Sequence, residues 1–200
     1  GDIVFKKSRK YLSGTMSDWS LIIFDEETNL DHLIKLLGYR HRCLIRYTDS
    51  NGKESFTTVS QSDVIKFIFS NLNNLSSKQK FNFNSTIEEL EFNQAQVVTC
   101  NQNDKAIDCF KLLHEKKIYA LAIIDDDGKL VGNISTTNLK GTNFKDLTQL
   151  DKPVGQWLSQ TKHKYDPITC QNDTTINAIV QELVAKKVHR VFVVDKDGKP

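Results

Sequence analysis

Residues 100 to 129, CNQNDKAIDCFKLLHEKKIYALAIIDDDGK, recur at residues 170 to 199 as CQNDTTINAIVQELVAKKVHRVFVVDKDGK, and the two align without a gap. Repetition of this kind constrains a fold more than composition does. Each copy must be one supersecondary unit that buries its apolar face against a neighbour. Phe110 falls on Val180, Leu113 on Leu183, Lys116-Lys117 on Lys186-Lys187, and Asp127-Gly128-Lys129 on Asp197-Gly198-Lys199. Another copy runs from Phe24 to Lys53. It matches the last copy with a two-residue deletion before His41-Arg42 and a short insertion in its turn. That match extends upstream, placing Tyr11-Leu12-Ser13, Thr15, Trp19 and Ile22 on Trp157-Leu158-Ser159, Thr161, Tyr165 and Ile168. The first and last copies resemble each other more than either resembles the middle one, and this alternation predicts repeats arranged in pairs.

Each copy has the same local grammar. A short apolar strand (Leu21-Ile22-Ile23, Val97-Val98, Ile168-Thr169) precedes a polar cap at Thr28, Asp104 or Asp173. A helix with one apolar stripe follows, carried by Ala106, Phe110 and Leu113 in the middle copy and by Ile176, Ile179, Val180 and Leu183 in the last. Next comes a strand at Leu44-Ile45, Ala120 to Ile124 or Val191 to Val194. Two of these are near-continuous apolar runs, as a strand buried on both faces requires. Ser50-Asn51-Gly52, Asp127-Gly128 and Asp197-Gly198 are hairpin turns. In this grammar Asp125-Asp126-Asp127 belongs to a turn rather than to a metal site. After the turn, Thr57 to Asp63 leads into the helix at Val64 to Ile68, and Leu130 to Asn138 leads into a helix at Leu139-Lys140. The last copy lacks roughly 15 residues by the length of its neighbours. The fold expected is α/β (α+β), of β-α-β-β-α repeats. Its boundaries are 1–72 for the first copy, an Asn/Ser-rich linker at 73–84, 85–146 for the middle copy and 147–200 for the last.

A formal net charge of +2 is too small to argue for nucleic acid or a membrane surface, so neither is expected as a partner, and no apolar stretch is long enough to span a membrane. Gly1 to Lys7 is not followed by the apolar run of a secretory signal. Cys43, Cys100, Cys109 and Cys170 form no C-x-x-C pair and lie in or beside apolar runs. They read as small buried thiols in a reducing compartment, in a cytoplasmic or nuclear protein. His32, His114 and His163 have no metal spacing, Ser13 and Ser159 have no base beside them in sequence, and there is no Gly-rich phosphate loop. The chain is expected not to be an enzyme.

The unit with an apolar run, a D-x-G turn and then G-x-I-S-x-x-[D/N] resembles the cystathionine-β-synthase-type (CBS) domain. The match is carried by His41 through Asp63, Lys117-Ile118 through Asn138, and Lys187-Val188 through Gly198. CBS domains occur as side-by-side pairs, known as Bateman modules. A sharper resemblance is to the gamma subunit of AMP-activated protein kinase, whose second and fourth repeats carry a His-Arg pair at the start of the middle strand. Here His41-Arg42 and His189-Arg190 stand there, while the middle copy reads Ile118-Tyr119-Ala120-Leu121, and Ser85 to Leu90 resembles the lead into the third repeat. The copies thus read as repeats two, three and four.

The resemblance implies an adenine-nucleotide sensor for AMP, ADP or ATP, partnered by a protein kinase catalytic subunit and a scaffold subunit, with no cofactor. It implies that Ile118 and Ala120 line the base slot, that Asp63 accepts from both ribose hydroxyls, and that His41-Arg42 and His189-Arg190 hold phosphate. Ser60, Thr99, Tyr119, Ser135 and Asn138 complete the set. Beside these roles stand plainer ones: core packing for Ile118 and Ala120, and a macrodipole-favoured helix acid for Asp63. Asn138 stands where an Asp is expected, and in the gamma subunit the second repeat lacks the Asp that this chain has at position 63. The rival reading is a CBS-repeat interaction protein with degenerate sites, acting on a phosphatase, channel or transporter.

Overall fold

The computed structural model describes residues 23–25, 27–39, 41–71, 82–92, 94, 96–140, 142–160 and 166–200. The upstream match at Tyr11 to Ile22 and most of the Asn/Ser-rich linker lie outside them. The chain forms two compact units, Gly1–Lys78 and Gln79–Pro200.

The first unit holds the first copy: β1 (Ile23–Asp25), α1 (Leu30–Tyr39), β2 (Arg42–Thr48), β3 (Glu54–Ser60) and α2 (Gln61–Ser70). β1 runs parallel to β2 and β3 antiparallel to it, in the order β1-β2-β3. Leu37, Cys43 and Val64 are its buried centre, with Phe24, Leu33, Ile45 and Ile68 packed around them. Ile34 on α1 and Phe67 on α2 remain exposed.

The second unit holds the other copies. The middle copy comprises β4 (Thr99–Asn101), α3 (Ala106–Glu115), β5 (Ala120–Ile124) and β6 (Leu130–Ser135), with the same parallel-then-antiparallel order. A 3-10 turn (Thr136–Leu139), α4 (Phe144–Leu147) and α5 (Val154–Gln160) follow. The last copy contributes β7 (Thr169–Cys170), α6 (Ile176–Lys186) and β8 (Phe192–Val193), with β7 parallel to β8. The repeat grammar is therefore correct in kind. The first strands of the middle and last copies sit slightly later than expected, because register follows pairing: Thr99 to Asn101 face Ala122 to Ile124, and Val98 only offers its carbonyl to Ala122. The helix expected at Leu139-Lys140 is a single 3-10 turn, with Lys140 already extended.

Three turns are stitched identically. Asp49, Asp125 and Asp195 each accept with Oδ1 from two backbone N–H groups, at Asn51 and Lys53, Asp127 and Lys129, or Asp197 and Lys199. Gly52, Gly128 and Gly198 close them at φ of 73°, 82° and 81°, a region costly for any residue with a Cβ. The acidic run is thus a turn device. Both helices that end in Lys-Lys finish the same way, with Lys117 and Lys187 left-handed at φ 54° and 53°, where glycine is usual. Ile118 and Val188 then donate back to Leu113 and Leu183.

The two copies of this unit are joined by reciprocal exchange. The segment before α5 runs along the start of α3: Ala106 and Ile107 donate to the carbonyls of Lys152 and Leu150, while Val154 and Gly155 donate to Asp104 and Gln102. A Cβ on Gly155 would stand 3.4 Å from the Gln102 carbonyl, so the close approach favours glycine. The segment Phe83 to Glu88 does the same for α6. Ile176 and Asn177 donate to Ser85 and Phe83, and Ile87 and Glu88 donate to Thr174 and Asn172. These bonds satisfy N–H groups that a helix start leaves orphaned. They explain why Asp104 and Asp173 are not the caps: α3 starts at Lys105 with no side-chain cap, Asp104 instead accepts from Asn101, and Thr175 caps α6. In the first copy, Asn29 rather than Thr28 caps α1.

The second unit's core is Cys100, Ala106, Cys109, Leu113, Leu121, Ile123, Ile134, Val154, Trp157 and Leu158. Its last three members come from the lead segment of the last copy, so the middle copy is completed by its partner. Cys43, Cys100 and Cys109 are buried and Cys170 half-buried, all as free thiols. Burial raises the Cys43 and Cys170 thiols above their usual range. No helix among the described residues is long and apolar enough to cross a membrane.

Candidate functional site

The start of each middle strand lies across the sheet from the residue that opens the next helix. Arg42 pairs with Ser60, and Ala120 with Ser135. One residue outward, the N–H of Gln61 donates to the His41 carbonyl and that of Thr136 to the Tyr119 carbonyl. His41, Tyr119 and His189 are therefore one position in three copies, and Arg42, Ala120 and Arg190 another. The last copy is placed by the Phe192 bond to Ile168, which matches the Ala122 bond to Val98.

In the first copy the site is open. His41 and Arg42 are exposed, and His41 Nδ1 lies 3.4 Å from Gln61 Oε1. Gln61 is fixed in turn by a 2.6 Å bond from Nε2 to the Leu37 carbonyl. Ser60 caps α2 in a reciprocal box. Its N–H and hydroxyl both donate to Asp63 Oδ2, at 3.0 and 2.6 Å, and the Asp63 N–H donates back to the Ser60 hydroxyl. The bonds from the Ser60 side chain and backbone hold the Asp63 carboxyl below its usual range, with the Lys66 and Arg42 charges adding to this. A carboxyl depressed on folding stabilises above its unfolded value, roughly 3.9, and that stability is lost as pH falls through the lower folded value. An Asp63→Asn variant can keep the box but not the charge. Hydrogen-exchange protection of α2 should therefore be greater in wild type at neutral pH, and the gap should close only as pH falls through the carboxyl's depressed folded value. A gap that persists in acid would show that the carboxylate is not its cause.

In the middle copy the matching residues are closed in. Ser135 and Asn138 are buried at 5% and 7% exposure, and Asn138 Oδ1 accepts from both the N–H and the hydroxyl of Ser135, at 2.8 and 2.9 Å. Ala120 is half-buried and Tyr119 exposed. Ile118 packs against the core, which favours its plainer role. Thr99 is half-buried on β4, in register with Ala122. In the last copy His189 is exposed, whereas Arg190 is half-buried and burial alone pulls its guanidinium below the usual range. Among the described residues no carboxylate lies within ion-pair distance of Arg190. No cluster of metal-ligating side chains stands among the described residues.

The CBS domain family model matches residues 88–141 and 161–200, which are the middle and last copies. Protein SDS23 of Candida albicans is 26% identical over 185 residues, covering 87% of this chain and 29% of that protein. Protein SDS23 of Debaryomyces hansenii is 27% identical over 186 residues, covering 88% and 33%. The chain thus spans about a third of the length of these curated relatives. Among solved structures, an uncharacterized conserved protein from Pyrococcus horikoshii superposes with a TM-score of 0.61 at 20% identity, covering 90% of this chain and 72% of that one. Protein MJ1225 from Methanocaldococcus jannaschii, described as a putative archaeal homolog of gamma-AMPK, gives 0.62 at 17% identity, covering 90% and 62%. At that identity the likeness establishes the fold. Residues 88–141 and 161–200 are a pair of CBS domains, joined through their exchanged lead segments.

Proposed function

We propose that this chain is an adenine-nucleotide-binding regulatory module, of the type that serves as the gamma subunit of an AMP-activated kinase-like complex. The observation that carries this reading is the juxtaposition in the first copy. Strand pairing brings Arg42 and His41 beside the Ser60–Asp63 cap, so that phosphate donors and a carboxylate acceptor share one end of the sheet. A planar guanidinium suits phosphate oxygens, and an ionised carboxylate suits a ribose diol. Arg190, half-buried and without a carboxylate partner among the described residues, supplies a second anion-seeking group. The ligand acts by shifting populations of a partner complex, with no chemistry done on it. Calorimetric titration of the chain with AMP, ADP and ATP tests this. Saturable binding of at least one nucleotide is expected, and no heat with any of them at millimolar ligand would refute it.

The relatives favour a second reading. They are SDS23 proteins rather than kinase subunits, and Asn138 departs from the ribose-binding pattern. On that reading the repeats dock on another protein, and nucleotide is dispensable.

A further inference from the structure

The core of the middle copy holds two thiols that the nucleotide reading leaves unused. Cys100 is 6% exposed and Cys109 1%, and both are free. The chain path brings them together. Cys100 is the inward-facing residue of β4, between half-buried Thr99 and Asn101. The chain turns back at once, with the Asp104 N–H donating to the Asn101 carbonyl and Asp104 Oδ2 accepting from the Asn101 N–H. Cys109 closes the first turn of α3, on the face that also carries Ala106 and Leu113, and all four side chains belong to one buried cluster. There the Cys100 thiol donates to the Cys109 sulfur, a bond that holds Cys109 below the usual thiol range and raises Cys100 above it. The last copy gives the comparison. Cys170 falls on Cys100, but Ile179 falls on Cys109. Hydrocarbon fills that place in one copy, so packing alone does not call for a second sulfur in the other.

We infer that Cys100 and Cys109 are an oxidation site, at which a peroxide makes a disulfide that fastens β4 to α3. This goes beyond the nucleotide reading and stands without it. With hydrogen peroxide the chemistry closes on the two thiols alone. Cys109, the sulfur that gives up its proton more readily, attacks one peroxide oxygen as thiolate. The O–O bond breaks, Cys109 becomes a sulfenic acid, and the hydroxide that leaves takes up the proton as water. The Cys100 sulfur then attacks the sulfenic sulfur. The S–S bond forms, the S–O bond breaks, and the departing hydroxide leaves with the Cys100 proton as a second water. Two electrons have passed from the thiols to the peroxide. Burial makes the step conditional. The start of α3 is closed by the Lys152 and Leu150 carbonyls, which hold the Ala106 and Ile107 N–H groups, so peroxide reaches Cys109 when that seam opens locally. The disulfide records such an opening and then keeps strand and helix joined.

The whole chain is treated with hydrogen peroxide, denatured, alkylated at its remaining thiols, digested and mapped by mass spectrometry. The expected result is a Cys100–Cys109 cross-link, seen as joined peptides lighter by two hydrogens than their sum and separated again by dithiothreitol. Cys170, with Ile179 in the partner position, should instead appear as a sulfenic or sulfinic acid. Mild urea, below the unfolding transition, should speed the cross-link, because it favours opening of the seam. Cys100→Ala should abolish the cross-link and let Cys109 accumulate as a sulfenic acid, trapped with dimedone. If Cys100 and Cys109 are both still alkylated once Cys170 is oxidised, even in mild urea, the pair is a packing feature and the inference fails. A cross-link from Cys109 to Cys43 or Cys170 in its place would overturn it equally. Should the variant not fold, the wild-type map decides alone.

Discussion

Trp157→Ala should cost the second unit about 3–5 kcal/mol of unfolding free energy. Trp157 is 1% exposed and meets the Phe110 ring edge-on, with centroids 5.5 Å apart. It belongs by sequence to the last copy but packs with Cys109, Leu113 and Ile134 of the middle one. Truncation leaves a cavity lined by groups fixed in helix and sheet, and the edge-to-face contact is lost with it. Because α5 sits on the segment that also bonds the start of α3, the damage should reach both copies. Urea unfolding followed by circular dichroism measures the loss. Hydrogen exchange should show α3 and α6 losing protection together. A loss under 1 kcal/mol, or one confined to α3, would mean that the exchanged segments do not make these copies one cooperative unit. Leu90 holds the corresponding place in the other lead segment and is only half-buried, so Leu90→Ala should cost less.

Much of this fold was legible because the chain states its unit more than once. The turns, the helical stripes and the strand order followed from local chemistry repeated at one spacing. Asp49, Asp125 and Asp195 perform one task in three copies. What the sequence hid depends on backbone atoms distant in the chain. No pattern of side chains reveals that the orphan N–H groups of Ala106 and Ile176 are met by the carbonyls of Lys152 and Ser85, so the caps expected at Asp104 and Asp173 were misplaced. Lysines 117 and 187 fill a left-handed position that glycine would have announced. At the site, resemblance named the positions, and sheet register brought Arg42 to Ser60 and Ala120 to Ser135. The burial of Asn138 was not legible, since burial is set by what packs on a residue and not by its own type.

Arg190→Ala should weaken nucleotide binding by about ten- to a hundredfold, and it should leave the thermal midpoint unchanged or raise it. The first effect is the loss of a charge-assisted bond to phosphate, which contributes on the order of 1.5–3 kcal/mol. The second follows from burial. A half-buried guanidinium with no carboxylate partner among the described residues has given up hydration without an ion pair to offset it. Its charged form is disfavoured by folding, so removing it relieves a cost that the ligand-free protein bears. Bound phosphate would meet that cost instead, and thermal stability should rise with AMP in wild type more than in the variant. Calorimetric titration and thermal unfolding of both proteins, with and without AMP, separate these effects. A purely structural Arg190 would lower the midpoint when removed and leave the AMP affinity of the folded fraction as it was. That outcome would withdraw the phosphate role and favour the reading in which these repeats dock on another protein.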